Sequence, residues 1–78
     1  MSVSAYILIQ VDVGKSTAVS KGVAAIPGVI SAEEVTGPYD VIVKVESESL
    51  DTLGRNVVSR IQLVEGITRT LTCPVIHI

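Results

Sequence analysis

Residues 36–40 read Thr-Gly-Pro-Tyr-Asp and lie between two of the most apolar stretches of the chain. Pro38 presets the backbone for the first central position of a tight turn, and Gly37 accepts whatever conformation precedes it. A turn of this kind leaves backbone N–H groups without strand partners, here those of Gly37, Tyr39 or Asp40. Such groups converge on anions, a carboxylate among them. Asp40 supplies the opposite charge for an ammonium, and Tyr39 offers a flat apolar wall with a hydroxyl at its edge. One class of ligand answers all three features, a zwitterionic α-amino acid. The same residues could equally do no more than close a hairpin, and their chemistry supports both readings.

Other constellations are weaker. Gly14-Lys15-Ser16, between a strand and a helix, imitates the end of a phosphate-binding loop. That loop needs a glycine five places before Gly14, where this chain has Ile9. His77 is the one histidine and Cys73 the one cysteine, so neither a metal set nor an oriented Cys-His nucleophile can be assembled within one chain. Glu33 and Glu34 are neighbours on a strand and point to opposite faces, which prevents them from sharing a reaction centre. RNA binding across a sheet needs aromatics on the central strands, and Tyr6 is the sole candidate. No catalytic set and no cofactor site emerges, so the chain is expected not to be an enzyme and to carry no cofactor.

The 78 residues suffice for one domain, 1–78. Hydrophobic residues make up 47%, yet there are two tyrosines and no Phe or Trp, so the core must be aliphatic. A chain this short buries only about 60% of its unfolded surface. It therefore carries more apolar material than a lone subunit hides, and association is expected. Net charge is −2, and the six Lys and Arg are scattered from Lys15 to Arg69, which argues against direct nucleic-acid binding. The lone Cys73 suits a reducing compartment. No leader-like opening and no run of about 18 apolar residues is present, so a soluble cytoplasmic protein is expected.

The elements that must position the turn follow from periodicity. A strand at 5–13 is followed by a helix at 14–26, with Val19, Val23 and Ile26, and with Ala18, Gly22 and Ala25, on one face. Pro27-Gly28 stops it. Strands at 29–36 and 40–46 flank the turn, the second with Val41, Val43 and Val45 on one side. A second helix spans 47–66, with Leu50, Leu53, Val57, Ile61 and Val64 stepping by three or four. Ser47 or Ser49 caps it, Asp51 and Arg55 form an i,i+4 pair, and Gly66 ends it. In the last strand, 67–78, Thr68, Thr70 and Thr72 share one side and Ile67, Leu71, Cys73 and Val75 the other. Pro74 places its end at an edge or bulge. Gly22 and Gly54, inside the helices, read as packing residues on buried faces.

The chain repeats itself: "ILIQVD" answers "VIVKVE", and "PGVIS" answers "EGITR". Two β-α-β units joined by a hairpin predict an α+β, ferredoxin-like βαββαβ sandwich. Its four-stranded antiparallel sheet carries both helices on one face. The other face is bare. Ile7, Leu8 and Ile9 put apolar groups on both sides of the first strand, and Val11 and Val13 continue one of them. Burying about 500 Å² of such surface is worth on the order of 12 kcal/mol before association costs. A sheet-to-sheet dimer is the expected minimum unit, a dimeric α/β-barrel-like assembly.

The sequence resembles the effector-binding (RAM) domain of the Lrp/AsnC regulators over nearly its whole length. The opening strand, "IPGVISAEEVTGPYDVIVKVE", the Leu-rich second helix and "EGITRTLT" carry the resemblance, and the Tyr-Asp turn is its most specific part. Members of that family dimerise through their sheets and form rings of dimers. Their amino-acid effectors bind between dimers, against the G-x-Y-D turn of one subunit and a strand of the next. The resemblance implicates Gly37, Tyr39 and Asp40, with Thr70 and Thr72 as polar partners and Thr36 as a further candidate. Pro38 departs from a donor-rich loop, because it removes one N–H. Full-length members carry an N-terminal helix-turn-helix, and here Met1 leads directly into the first strand. The resemblance thus implies a stand-alone sensor able to join full-length Lrp/AsnC regulators. The alternatives are a structural subunit that tunes a relative by mixed assembly without ligand, and a small enzyme of the dimeric α/β-barrel type. Other βαββαβ amino-acid-binding modules, of the ACT type, share the topology but rarely this turn.

Overall fold

The structure is a computed structural model that describes residues 2–76. Its elements run β1 (Val3–Val11), α1 (Ser16–Ala24), β2 (Val29–Glu34), β3 (Val41–Ser47), α2 (50–61) and β4 (Ile67–Pro74). The four strands form one antiparallel sheet in the order β2-β3-β1-β4. This is the ferredoxin-like α+β arrangement that the two β-α-β units demand. The expectation for His77 lies outside the described residues.

Strand parity sorts the side chains. Ala5, Ile7 and Ile9 of β1 and Val41, Val43 and Val45 of β3 are fully buried against the helical layer. Val19 and Val23 of α1 and Leu53, Val57 and Ile61 of α2 complete that core. It is aliphatic, as the scarcity of aromatics requires. The alternate residues form the opposite face. There Leu8 lies between Ile42 and Leu71, and Tyr6 between Lys44 and Cys73. Tyr6 and Leu71 are each 42% exposed, so this side of the sheet is apolar and open.

Several expectations are corrected. In β4, Ile67 shares the covered side with Val11 instead of the open side with Leu71 and Cys73. The register slips opposite Gln10 and Val11, leaving Thr68 without a partner, and one extra residue inverts the parity before it. Thr70 and Thr72 keep the covered side. Val13 is fully exposed in the β1–α1 connection, because β1 ends at Val11. The buried stripe of α1 is narrower than expected: Ala18, Gly22 and Ala25 are exposed.

In α2, Leu50 is 56% exposed while Leu53, Val57 and Ile61 are buried. The segment Leu53–Val58 is wound as a π-helix. An α-helix advances about 100° per residue, so a four-residue step drifts by about 40°. The wider turn offsets that drift and keeps Leu53, Val57 and Ile61 in line. Leu50, on the far side of the widened turn, falls off the stripe. Gly54 is exposed with nothing near its Cβ position, so it is no packing residue within this chain. Gly22 does allow a close approach, since an added Cβ would meet Val64 at 3.3 Å.

Candidate functional site

The 36–40 turn is anchored to the end of β1. Pairing of β1 with β3 stops at Ile9 and Val41, where the chain must reverse. Asp40 N–H donates to the Ile9 carbonyl at 2.8 Å, and Val35 N–H donates to the Asp40 carbonyl at 2.9 Å. The Val11 N–H, beyond the last β3 partner, donates to Asp40 Oδ2 at 2.9 Å. The carboxylate thus replaces a missing strand partner. Gln10 Nε2 donates to the Pro38 carbonyl at 2.9 Å and ties down the tip. A polar residue inside the apolar run of β1 was the available signal for this role, and sequence reasoning passed over it.

The amide of Asp40 is therefore not a free donor. Those of Thr36, Gly37 and Tyr39 donate to nothing among the described residues. Pro38 has no N–H to give. Gly37 adopts φ +137°, a conformation that excludes a side chain on backbone grounds, although the space around it is open. Asp40 Oδ1 accepts no hydrogen bond among the described residues. The turn thus presents two flanking donors, the free oxygen of a half-buried carboxylate and the half-buried Tyr39. Donors for a carboxylate and an acceptor for an ammonium stand on one short loop.

Thr70 pairs with Ile9, the residue whose carbonyl holds Asp40, so it lies level with the turn one strand away. Thr72 pairs with Ile7, farther down the sheet. Both are half-buried on the helix-covered side. Within one chain the turn residues are together, Thr70 is at the same end, and Thr72 stands apart.

An open cleft of about 410 Å³ adjoins the turn, lined by Ser16, Glu34, Val35 and Thr36. It forms where β2 ends beside the first residues of α1. Glu34 pairs with Val41 and so points to the helix-covered side, whereas Glu33 pairs with Ile42 and points to the open side. Thr17 Oγ1 donates to Glu34 Oε1 at 3.1 Å. Sequence reading missed Ser16, Glu34 and Val35, because no linear pattern joins residue 16 to 34–36. Among the described residues no group of His, Cys, Asp or Glu could hold a metal ion, and Cys73 is an exposed free thiol. No helix among them is long and apolar enough to cross a membrane.

Comparison with known proteins gives the fold and the family of the chain. The transcriptional regulator FL11 of Pyrococcus furiosus is 30% identical over 77 residues, covering 99% of this chain and 50% of its own. A homocitrate synthase of Sulfurisphaera tokodaii is 39% identical over 57 residues, covering 73% of this chain and 12% of its own. The chain therefore spans half of one curated relative and a small part of the other. The crystal structure of TTHA0845 from Thermus thermophilus superposes with a TM-score of 0.89 at 29% identity, covering 97% of this chain and 95% of that one. The model of the Lrp/AsnC ligand binding domain matches residues 4–78, and the chain belongs to that family.

Proposed function

We propose that this domain is a non-enzymatic sensor of a small amino acid, acting in the cytoplasm as an oligomer and modulating transcription through Lrp/AsnC regulators. One observation carries the reading. The unengaged amides of Gly37 and Tyr39 stand beside the unengaged Oδ1 of Asp40, a donor–acceptor pair matched to an α-carboxylate and an α-ammonium. The relatives support it from another side. The same module forms part of a DNA-binding regulator and part of a homocitrate synthase. DNA contact and catalysis are not common to both, and recognition of a small metabolite is what a shared module can contribute. Thr36, Thr70 and Thr72 add hydroxyls to the proposed site.

The open face supplies the assembly. Leu8, Ile42, Leu71 and Tyr6 give a self-complementary apolar surface for a sheet-to-sheet dimer, and further association of dimers brings turns from different subunits together. Calorimetric titration of the twenty amino acids, with mass by light scattering, tests the proposal. The variant for comparison is Asp40→Asn, which keeps an acceptor for the Val11 amide and removes the charge. At least one amino acid should bind a species of dimer size or larger, with affinity reduced about tenfold or more in the variant. No heat from any amino acid, or a monomer at high concentration, defeats the sensor.

A second reading is favoured by the bond from Val11 N–H to Asp40, which already gives the carboxylate a structural task. In it the chain binds no ligand and tunes a full-length Lrp/AsnC regulator by mixed assembly. Co-purification with such a regulator, in the absence of any amino-acid response, would favour it.

A further inference from the structure

We infer that the cleft beside the turn receives the side chain of the effector, and that Glu34 makes the preferred effector a basic α-amino acid. The inference rests on the amino-acid-sensing reading and adds the chemical class of the ligand.

Glu34 is held but not neutralised. Thr17 Oγ1 donates to its Oε1, while Oε2 accepts nothing among the described residues. The Asp51–Arg55 contact is the one salt bridge among them, so no lysine or arginine pairs with Glu34. Lys15, the cation nearest in sequence to the cleft, lays its stem against Gly66: a Cβ added there would meet Lys15 Cβ at 3.2 Å and Cγ at 3.4 Å. The cleft thus contains an exposed, oriented carboxylate whose charge no cation among the described residues matches.

The rest of the lining fits one shape of side chain. Val35 offers an apolar wall for a methylene stem. Ser16 and Thr36 add to the same lining hydroxyls that can accept hydrogen bonds. An ammonium carries three donors and a guanidinium five, so either can engage Glu34 and a hydroxyl together. A volume of about 410 Å³ is ample for such a chain. Thr36 belongs both to the cleft and to the turn, so a ligand whose α-carbon groups bind at 37–40 has its side chain directed along 34–36. An aliphatic side chain in the same place would displace water from a carboxylate and return no partner.

The test titrates L-lysine, L-arginine, L-norleucine and L-leucine into the wild-type protein and Glu34→Gln. Norleucine keeps the stem of lysine without its ammonium. Gln retains an acceptor for Thr17, and light-scattering mass and Tm confirm that the assembly is intact. Lysine or arginine should bind about tenfold or more tightly than norleucine to wild type, and Glu34→Gln should bring that ratio close to one. Norleucine or leucine binding as tightly as the basic amino acids, or a basic preference that survives Glu34→Gln, overturns the inference while leaving amino-acid sensing intact. Absence of binding by all twenty amino acids removes both.

Discussion

The two β-α-β halves lock together through a matched pair of glycines. Gly28 follows α1 with φ +97°, and Gly66 follows α2 with φ +100°. The Gly28 carbonyl accepts from Glu46 N–H at 2.9 Å, at the end of β3, and the Gly66 carbonyl accepts from Asp12 N–H at 2.8 Å, just past β1. Those donors answer each other in the repeat of "ILIQVD" with "VIVKVE". Each glycine lies against the helix of the other half, Gly28 on Val57 and Gly66 on Val19. Each following strand then skips one residue in its pairing, Ile30 in β2 and Thr68 in β4. The difference lies at the start of the helices. Ser49 caps α2 with a 3.1 Å bond from Thr52 N–H, whereas Lys15 gives α1 no side-chain cap. The half whose helix start is left open is also the half that holds the cleft and the turn. A repeated frame has been capped at one helix start and left uncapped at the other, beside the cleft and turn of the proposed ligand site.

Substitution of the paired glycines breaks this correspondence most severely. A Cβ on Gly28 would stand 2.7 Å from Val57 Cγ2 and 3.3 Å from the Glu46 carbonyl, in a backbone conformation that side chains disfavour. Gly28→Ala should cost about 3 kcal/mol or more, from strain and overpacking together. At Gly66 the contacts are looser, 3.1 Å to Val19 and 3.2 Å to Lys15 Cβ. Gly66→Ala should cost about 2 kcal/mol, mostly backbone strain. Urea denaturation at equal protomer concentration measures both, and equal losses would show that the backbone alone decides them.

The caps come next. Ser49→Ala removes a side-chain acceptor from the first turn of α2 and should cost about 1 kcal/mol. Lys15→Ala removes no cap bond, only part of a stem packed on Gly66, and should cost less than Ser49→Ala in the same denaturation assay. A larger loss at Lys15 would erase the distinction between a capped and an uncapped helix start.

Much of the frame was legible because it rests on parity and period. The alternation in 40–46, the four-residue steps of Leu53, Val57 and Ile61, the serine before α2 and the Asp51–Arg55 pair, 3.2 Å apart, are local patterns that the fold preserves. What escaped was whatever depends on one inserted residue. Thr68, Thr70 and Thr72 alternate without a break in sequence, yet the slip at Thr68 turns Ile67 to the core, and nothing in the residue types marks it. The turn of the candidate site was legible through Gly37 and Pro38. The bond of Asp40 to Val11 was not, since it needs to be known where β1 loses its β3 partner. The cleft was invisible for the same reason, because Glu34 meets Thr17 only after β2 and α1 are packed.

The smallest expected effect concerns the single glycine inside each helix. Gly54 has no positive φ and nothing within 4 Å of its Cβ position, so this chain gives no steric reason for it. Gly54→Ala should stabilise by about 0.5–1 kcal/mol through the lower entropy of the unfolded chain and better helix propensity. At Gly22 the same gain is offset, because the new methyl meets Val64 Cγ1 at 3.3 Å and the branched valine has little room to turn. Gly22→Ala should therefore lie close to zero. The π-wound turn sharpens the contrast, since Gly54 sits within it and Gly22 in a regular α-helix. A loss of stability on Gly54→Ala that is independent of protein concentration would assign the glycine to the widened turn itself. A loss that shrinks on dilution, as wild type and variant alike would reach the monomer, would instead put a second copy against the bare backbone of α2.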